Sequence, residues 1–154
     1  MYVAMAAELI ILVGLQASGK STFFRERFAA THEHVSKDLF RNNRNRNRRQ
    51  KELVEAALWA GCPVVVDNTN PTVEERRPLI ELGHQCGARI VGYSFESGMR
   101  ECLARNARRE GKARVTDVAI YATAKRLVPP SCAEGFDELL CVRLNGSAFE
   151  VRVS

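Results

Sequence analysis

The segment from Leu9 to Ser21, LIILVGLQASGKS, constrains this chain more than any other. It opens with an unbroken apolar run, Leu9 to Val13, the pattern of a parallel strand buried on both faces. It then passes through GxxxxGK[ST] without a mismatch. Gly14 and Gly19 let the backbone curl around phosphate oxygens with no Cβ in the way. Main-chain amides point into that curl, and the N-terminus of the next helix adds positive potential. The strand before and the helix after are the context the motif requires.

The rest of the chain alternates in the same way. Lys20 to Ala30 reads as a helix and His34-Val35-Ser36 as a short second strand. Arg48 to Ala60 reads as a helix with Leu53, Val54, Ala57 and Leu58 on one face, stopped by Gly61. Val64-Val65-Val66 is the third strand. Thr72 caps a helix to Gln85, with a kink or break expected at Pro78. Arg89 to Phe95 is the fourth strand, and residues 98–109 form a helix. Thr116 caps another to about Leu127. Leu139 to Leu144 makes the fifth strand, and Phe149 to Val153 a short sixth. Strand–helix alternation predicts an α/β fold in three layers: a mostly parallel five-stranded sheet with helices on both faces. With 154 residues, one domain covers the chain. Residues 1–7 read as a loose leader, and residues 105–116 as an Arg-rich lid.

Five cysteines, an odd number with no CxxC pair, argue against a disulfide framework or a zinc site. No apolar run approaches a bilayer span. A cytoplasmic, soluble protein is the expectation. Trp59, Leu58, Tyr93 and Tyr121 read as packing residues. His32 and His34 could share a face of a strand, but lack further ligands for a metal. The net charge of +5 is unevenly spread: from Arg41 to Lys51 the chain reads RNNRNRNRRQK, with six cations and no acid. Such a block favours a phosphate-bearing partner.

The polar candidates cluster where open α/β sheets bind ligands, beyond the carboxyl ends of the strands. The loop Gly14, Leu15, Gln16, Ala17, Ser18, Gly19, Lys20, Ser21 and Thr22 would hold ATP. Lys20 would reach the β- and γ-phosphates, and the Ser21 hydroxyl would ligate Mg²⁺. Phosphoryl transfer also needs a proton acceptor and cations for the transferred group. Asp38, after the second strand, suits the base; it equally suits a helix cap. Arg41 suits an acceptor phosphate, by a bidentate contact, and Arg44 extends that side. Asp67 ends the third strand and would hold a Mg²⁺-bound water, or merely start the turn before Asn68. Asn68, Thr69 and Asn70 line an acceptor site or merely build a turn. Arg105 and Arg109, four apart on one helix face, would place a lid on the phosphates.

These residues, in GLQASGKST at 14–22, VSKDLFR at 35–41, VVVDNTNPT at 64–72 and ECLARNARREGK at 101–112, resemble the kinase domain of 5′-polynucleotide kinases. That family belongs to the small P-loop kinases, which include zeta-toxin-like proteins. The resemblance runs from about Leu9 to Leu144 and takes in Ala133-Glu134-Gly135-Phe136. It implies a P-loop NTPase fold with a lid, and transfer of the ATP γ-phosphate to a polynucleotide 5′-hydroxyl. It further implies Asp38 as general base, Arg41 on an acceptor phosphate, and Lys20, Ser21 and Arg109 around ATP. The Arg/Asn run departs from the family pattern and leaves the acceptor open. A small-molecule kinase and a non-catalytic ATP-binding module are the alternatives.

Overall fold

The computed structural model describes residues 7–154; the predicted leader falls almost wholly outside them. One sheet of six strands has the order β2-β3-β1-β4-β5-β6. The strands are β1 Glu8–Val13, β2 Glu33–Val35, β3 Val64–Asp67, β4 Arg89–Phe95, β5 Glu138–Asn145 and β6 Ala148–Val153. The first five are parallel, and β6 returns antiparallel along β5. The short sixth strand expected at Phe149 to Val153 is β6, and it joins the five parallel strands in the same sheet. Asn145-Gly146-Ser147 is a tight turn, with Gly146 at φ 64°, and this closes a hairpin that a parallel crossover could not make.

The helices are α1 Lys20–Arg27, α2 Arg46–Trp59, α3 Val73–Gln85, α4 Met99–Ala107 and α5 Asp117–Arg126. The central strand β1 shows why its run is apolar throughout. Leu9, Ile11 and Val13 pack with Val54, Ala57 and Leu58 of α2 and Leu79, Ile80 and Leu82 of α3. Ile10 and Leu12 pack with Phe23 and Phe24 of α1 on the opposite face. Alternate side chains of one strand therefore fill two separate cores. α4 and α5 meet the phosphate loop through Leu15, Ala17, Cys102 and Ile120.

Caps set several helix limits. The Asn45 side chain accepts from Arg48 N at 3.0 Å, so α2 begins two residues before the expected start. Thr72 and Thr116 cap α3 and α5 as expected. α3 does not break at Pro78. The proline lies in the second turn and removes only the bond its missing N–H would give Glu74, while buried Leu79, Ile80 and Leu82 pin the helix to the sheet. Trp59 is 67% exposed and Tyr121 48% exposed, against expectation. Val54, Ala57 and Leu58 already form the buried stripe of α2, and Trp59 projects beside it. Tyr93 does pack, on Phe23 and Phe28. All five cysteines are free. No helix among the described residues is long and apolar enough to cross a membrane.

Candidate active site

The carboxyl ends of β1, β2 and β3 converge on one cleft of about 520 Å³. Gln16, Ala17, Lys20, Ser21 and Thr22 line it from the loop, Asp38 and Arg41 from the turn after β2, Asp67 and Asn68 from the end of β3, and Arg109 from the segment after α4. The chain brings these together because β1 pairs with β3, and β3 with β2, in parallel register.

The loop conformation is demanding. Gly19 has φ 97°, and a Cβ there would sit 3.1 Å from the Phe149 ring. A Cβ on Gly14 would sit 2.8 Å from that of Phe95. Ala17 adopts φ 62° despite its side chain, completing a concave run of backbone amides suited to an anion. The Lys20 ammonium folds back into this concavity. It donates to Gly14 O at 2.9 Å, Leu15 O at 2.5 Å and Ser18 Oγ at 3.3 Å. Burial lowers its pKa from 10.5 to about 8, against the opposing pull of Asp67.

Ser21 Oγ donates to Asp67 Oδ2 at 2.7 Å. The same oxygen accepts from His34 Nε2 at 2.9 Å, and the His34 ring stacks on Phe24 with centroids 4.0 Å apart. Burial pushes the Asp67 carboxyl up, but the His34 and Ser21 bonds and the Lys20 charge outweigh it and hold the pKa below its usual value. Asp67 is therefore an ionised carboxylate buried beside a hydroxyl, which fits Mg²⁺. That ion prefers hard oxygen donors and keeps most of its shell as water and phosphate. Among the described residues no cluster of three His, Cys, Asp or Glu exists, so Ser21 and Asp67 would be its main protein anchors.

Asp38 caps no longer helix. It lies in a short 3-10 turn, Lys37–Phe40, entered through Ser36, whose Oγ accepts from Asp38 N. Its carboxylate stays exposed, 3.6 Å from Arg41 Nη2. Arg41 also donates to Lys112 O at 3.1 Å, tying the segment after α4 to this turn. In that segment, Arg109 donates to Ala113 O. Asn106 holds both the N–H and the carbonyl of Val115, so the segment is fastened to the end of α4 at its far side.

Three predicted site residues fall elsewhere. Arg105 does not reach into the cleft but braces the loop from behind, donating to Ala17 O at 3.0 Å and Ser97 Oγ at 3.2 Å. Asn70 is buried at φ 44° and donates to Leu12 O, so its side chain builds the turn. Arg44 is exposed beyond the cleft lining. Asn68 lines the cleft, yet its amide is engaged by Lys37 N and Gln50.

Sequence reading missed three contributors. His34, read only as a histidine lacking further metal ligands, instead bonds Asp67, 33 residues away on the third strand. Arg25 lines the cleft and donates to Thr22 Oγ1. Arg76, fully buried, forms a two-point pair with Glu134 and donates to Asn70 O, clamping the loop after Asp67. The only sequence signal for that clamp was the AEGF stretch at 133–136.

A glycine-bounded anion loop between a central parallel strand and a helix, with a lysine inside it and a serine–aspartate pair at its lip, defines a P-loop nucleotide-binding domain. Comparisons with known proteins agree. The model of the AAA domain family matches residues 9–130, and the chain belongs to that family. It is 28% identical over 133 residues to the bifunctional polynucleotide phosphatase/kinase of Schizosaccharomyces pombe, covering 84% of this chain and 32% of that protein. It superposes on a chain of the Pnkp1/Rnl/Hen1 RNA repair complex with a TM-score of 0.65 and 27% identity, covering 79% of this chain and 44% of the other. A fungal RNA kinase shares the fold, with a TM-score of 0.68 at 15% identity, covering 92% and 78%. The chain thus spans only a third or so of the curated relative it matches.

Proposed function

We propose that this chain transfers the γ-phosphoryl group of ATP to the 5′-hydroxyl of a polynucleotide. The observation that carries the reading is the cleft itself. Asp38, Arg41 and Arg109 line it together with Lys20, Ser21 and Asp67. The kinase named in the matched relatives supports the acceptor.

The loop amides of residues 14–22 hold the triphosphate, and Lys20 exchanges its carbonyl partners for the β- and γ-phosphates. Ser21 and Asp67 hold Mg²⁺, which neutralises phosphate charge when bound with the nucleotide. Asp38 accepts the proton of the acceptor hydroxyl as its oxygen bonds to the γ-phosphorus and the bond to the β-phosphate oxygen breaks. Arg41 holds the phosphate that follows the reacting nucleoside, and Arg109 meets the charge on the transferred group. ADP and a 5′-phosphorylated strand leave.

Incubation with γ-labelled ATP and a panel of 5′-hydroxyl oligonucleotides, nucleosides and sugars tests this. Label on the 5′ ends of oligonucleotides is the expected result. Label on a nucleoside or sugar alone would assign a small-molecule kinase, and ATP binding with no labelled product would assign a binding module.

A further inference from the structure

Of the Arg41–Lys51 run, the transfer chemistry uses Arg41 alone and leaves the rest unassigned. Its alternation has a structural logic. The asparagines build the backbone: Asn43 Oδ1 accepts from Asn45 N at 3.1 Å, and Asn45 Oδ1 accepts from Arg48 N at 3.0 Å. The arginines between them are left exposed. Arg48 and Arg49 share Glu52. Among the described residues, the side chains of Arg44 and Arg46 meet no acidic or carbonyl partner. The first turn of α2 contains no acid to balance them.

A second cation stands beside this group. Lys37, next to Asp38, has its backbone N–H fixed by Asn68. Burial lowers its pKa, Glu75 raises it, and the neighbouring Arg46 lowers it again. Glu75 is already paired with Arg126. Lys37 opens the 3-10 turn Lys37–Phe40, Arg46 opens α2, and α2 packs against that turn. Asp38 and Arg41 line the cleft, while Lys37, Arg44 and Arg46 lie outside its lining and flank that pair along the chain. Like charges held together without counter-charge repel in the free protein and are relieved by a polyanion.

Resting on the reading above, we propose that Lys37, Arg44 and Arg46 form a track for the second and later phosphates of a single-stranded acceptor. The enzyme then prefers a 5′-hydroxyl strand of several nucleotides over a nucleoside 3′-monophosphate, which Arg41 alone would hold.

The test is a length series of 5′-hydroxyl acceptors, from nucleoside 3′-monophosphate to hexanucleotide, with wild type and an Arg44→Gln, Arg46→Gln double variant. Wild-type KM is expected to fall about tenfold or more between one and four nucleotides, the scale of one or two charge-assisted contacts. In the variant that dependence flattens. Binding of a fluorescent hexanucleotide should lose about 0.7 of its log–log salt slope for each phosphate contact removed. A wild-type KM independent of length, with nucleotides still phosphorylated, overturns the track and leaves the proposed reaction standing. If no nucleotide acceptor is phosphorylated the reaction fails, and the hexanucleotide binding decides the track separately. A smaller salt slope in the variant upholds it, and an unchanged slope overturns it.

Discussion

Ser21 Oγ and Asp67 Oδ2 lie 2.7 Å apart across 46 residues of sequence, and His34 donates to the same carboxylate oxygen. Two donors on one oxygen fix the carboxylate's plane and keep it ionised despite burial. With its proton given to Asp67, the Ser21 oxygen keeps its lone pairs for a hard cation. His34 is thus a positioning residue, held in turn by its stack on Phe24.

Asp67→Asn is expected to weaken Mg²⁺ affinity about 10–100-fold, the range for groups that orient a metal's ligands. His34→Phe keeps a ring on Phe24 but loses the donor, and should move affinity the same way by less. His34→Gln should recover part of it. Mg²⁺ titration of ATP binding reads all three. Wild-type affinity in His34→Phe would remove the positioning role.

Lys20 sets a pH dependence. Below about pH 8 both the folded and unfolded chains hold its proton, and the buried charge destabilises the fold. The lowered value corresponds to about 3 kcal/mol. Between about 8 and 10.5 only the unfolded chain holds the proton, so stability rises with pH. Wild type should gain stability relative to Lys20→Met as pH rises through this window. ATP restores the charge, so its binding near pH 8 should take up protons, measurable by calorimetry in buffers of different ionisation enthalpy. Equal pH profiles for the two proteins would contradict the buried charge.

The Arg76–Glu134 pair holds the loop that follows Asp67. Both side chains are almost wholly buried, so Glu134→Ala strands a guanidinium in the core. The expected loss is about 3–5 kcal/mol in urea unfolding. Burial pushes the Glu134 carboxyl up, but the Arg76 and Ser131 bonds hold it below the ordinary 4.5. The pair's contribution is therefore complete above about pH 4.5 and fades as the pH falls through the lowered value. A loss under 1 kcal/mol would place the clamp's hold elsewhere.

Arg105 and Arg109 should separate kinetically. Arg109 faces the cleft, whereas Arg105 grips the loop backbone at Ala17. Arg109→Ala is expected to lower kcat about 10²–10³-fold, as for loss of one donor to developing charge. Arg105→Ala should chiefly raise the KM for ATP. Steady-state kinetics with varied ATP distinguishes them, and the reverse pattern would exchange their roles.

The phosphate loop, the parallel character of the sheet and the place of the two aspartates after strands were legible because each rests on local signals: an apolar run, a fixed glycine spacing, a carboxylate following a strand. Contacts between distant segments were not. His34 finds Asp67 only once β2 pairs with β3, and Arg76 finds Glu134 across 58 residues. Arg105 and Arg109 share one helix face in sequence terms. But α4 ends at Ala107, and the chain turns there, so the two guanidiniums diverge. Asn70 looked like a ligand because a left-handed turn and a binding loop use the same residue types.

The most direct test of the account is Asp38→Asn, measured for both ATP affinity and transfer to a 5′-hydroxyl oligonucleotide. The account predicts unchanged ATP affinity with transfer reduced about 10²–10⁴-fold, the range for a lost general base. Undiminished transfer in that variant would contradict it.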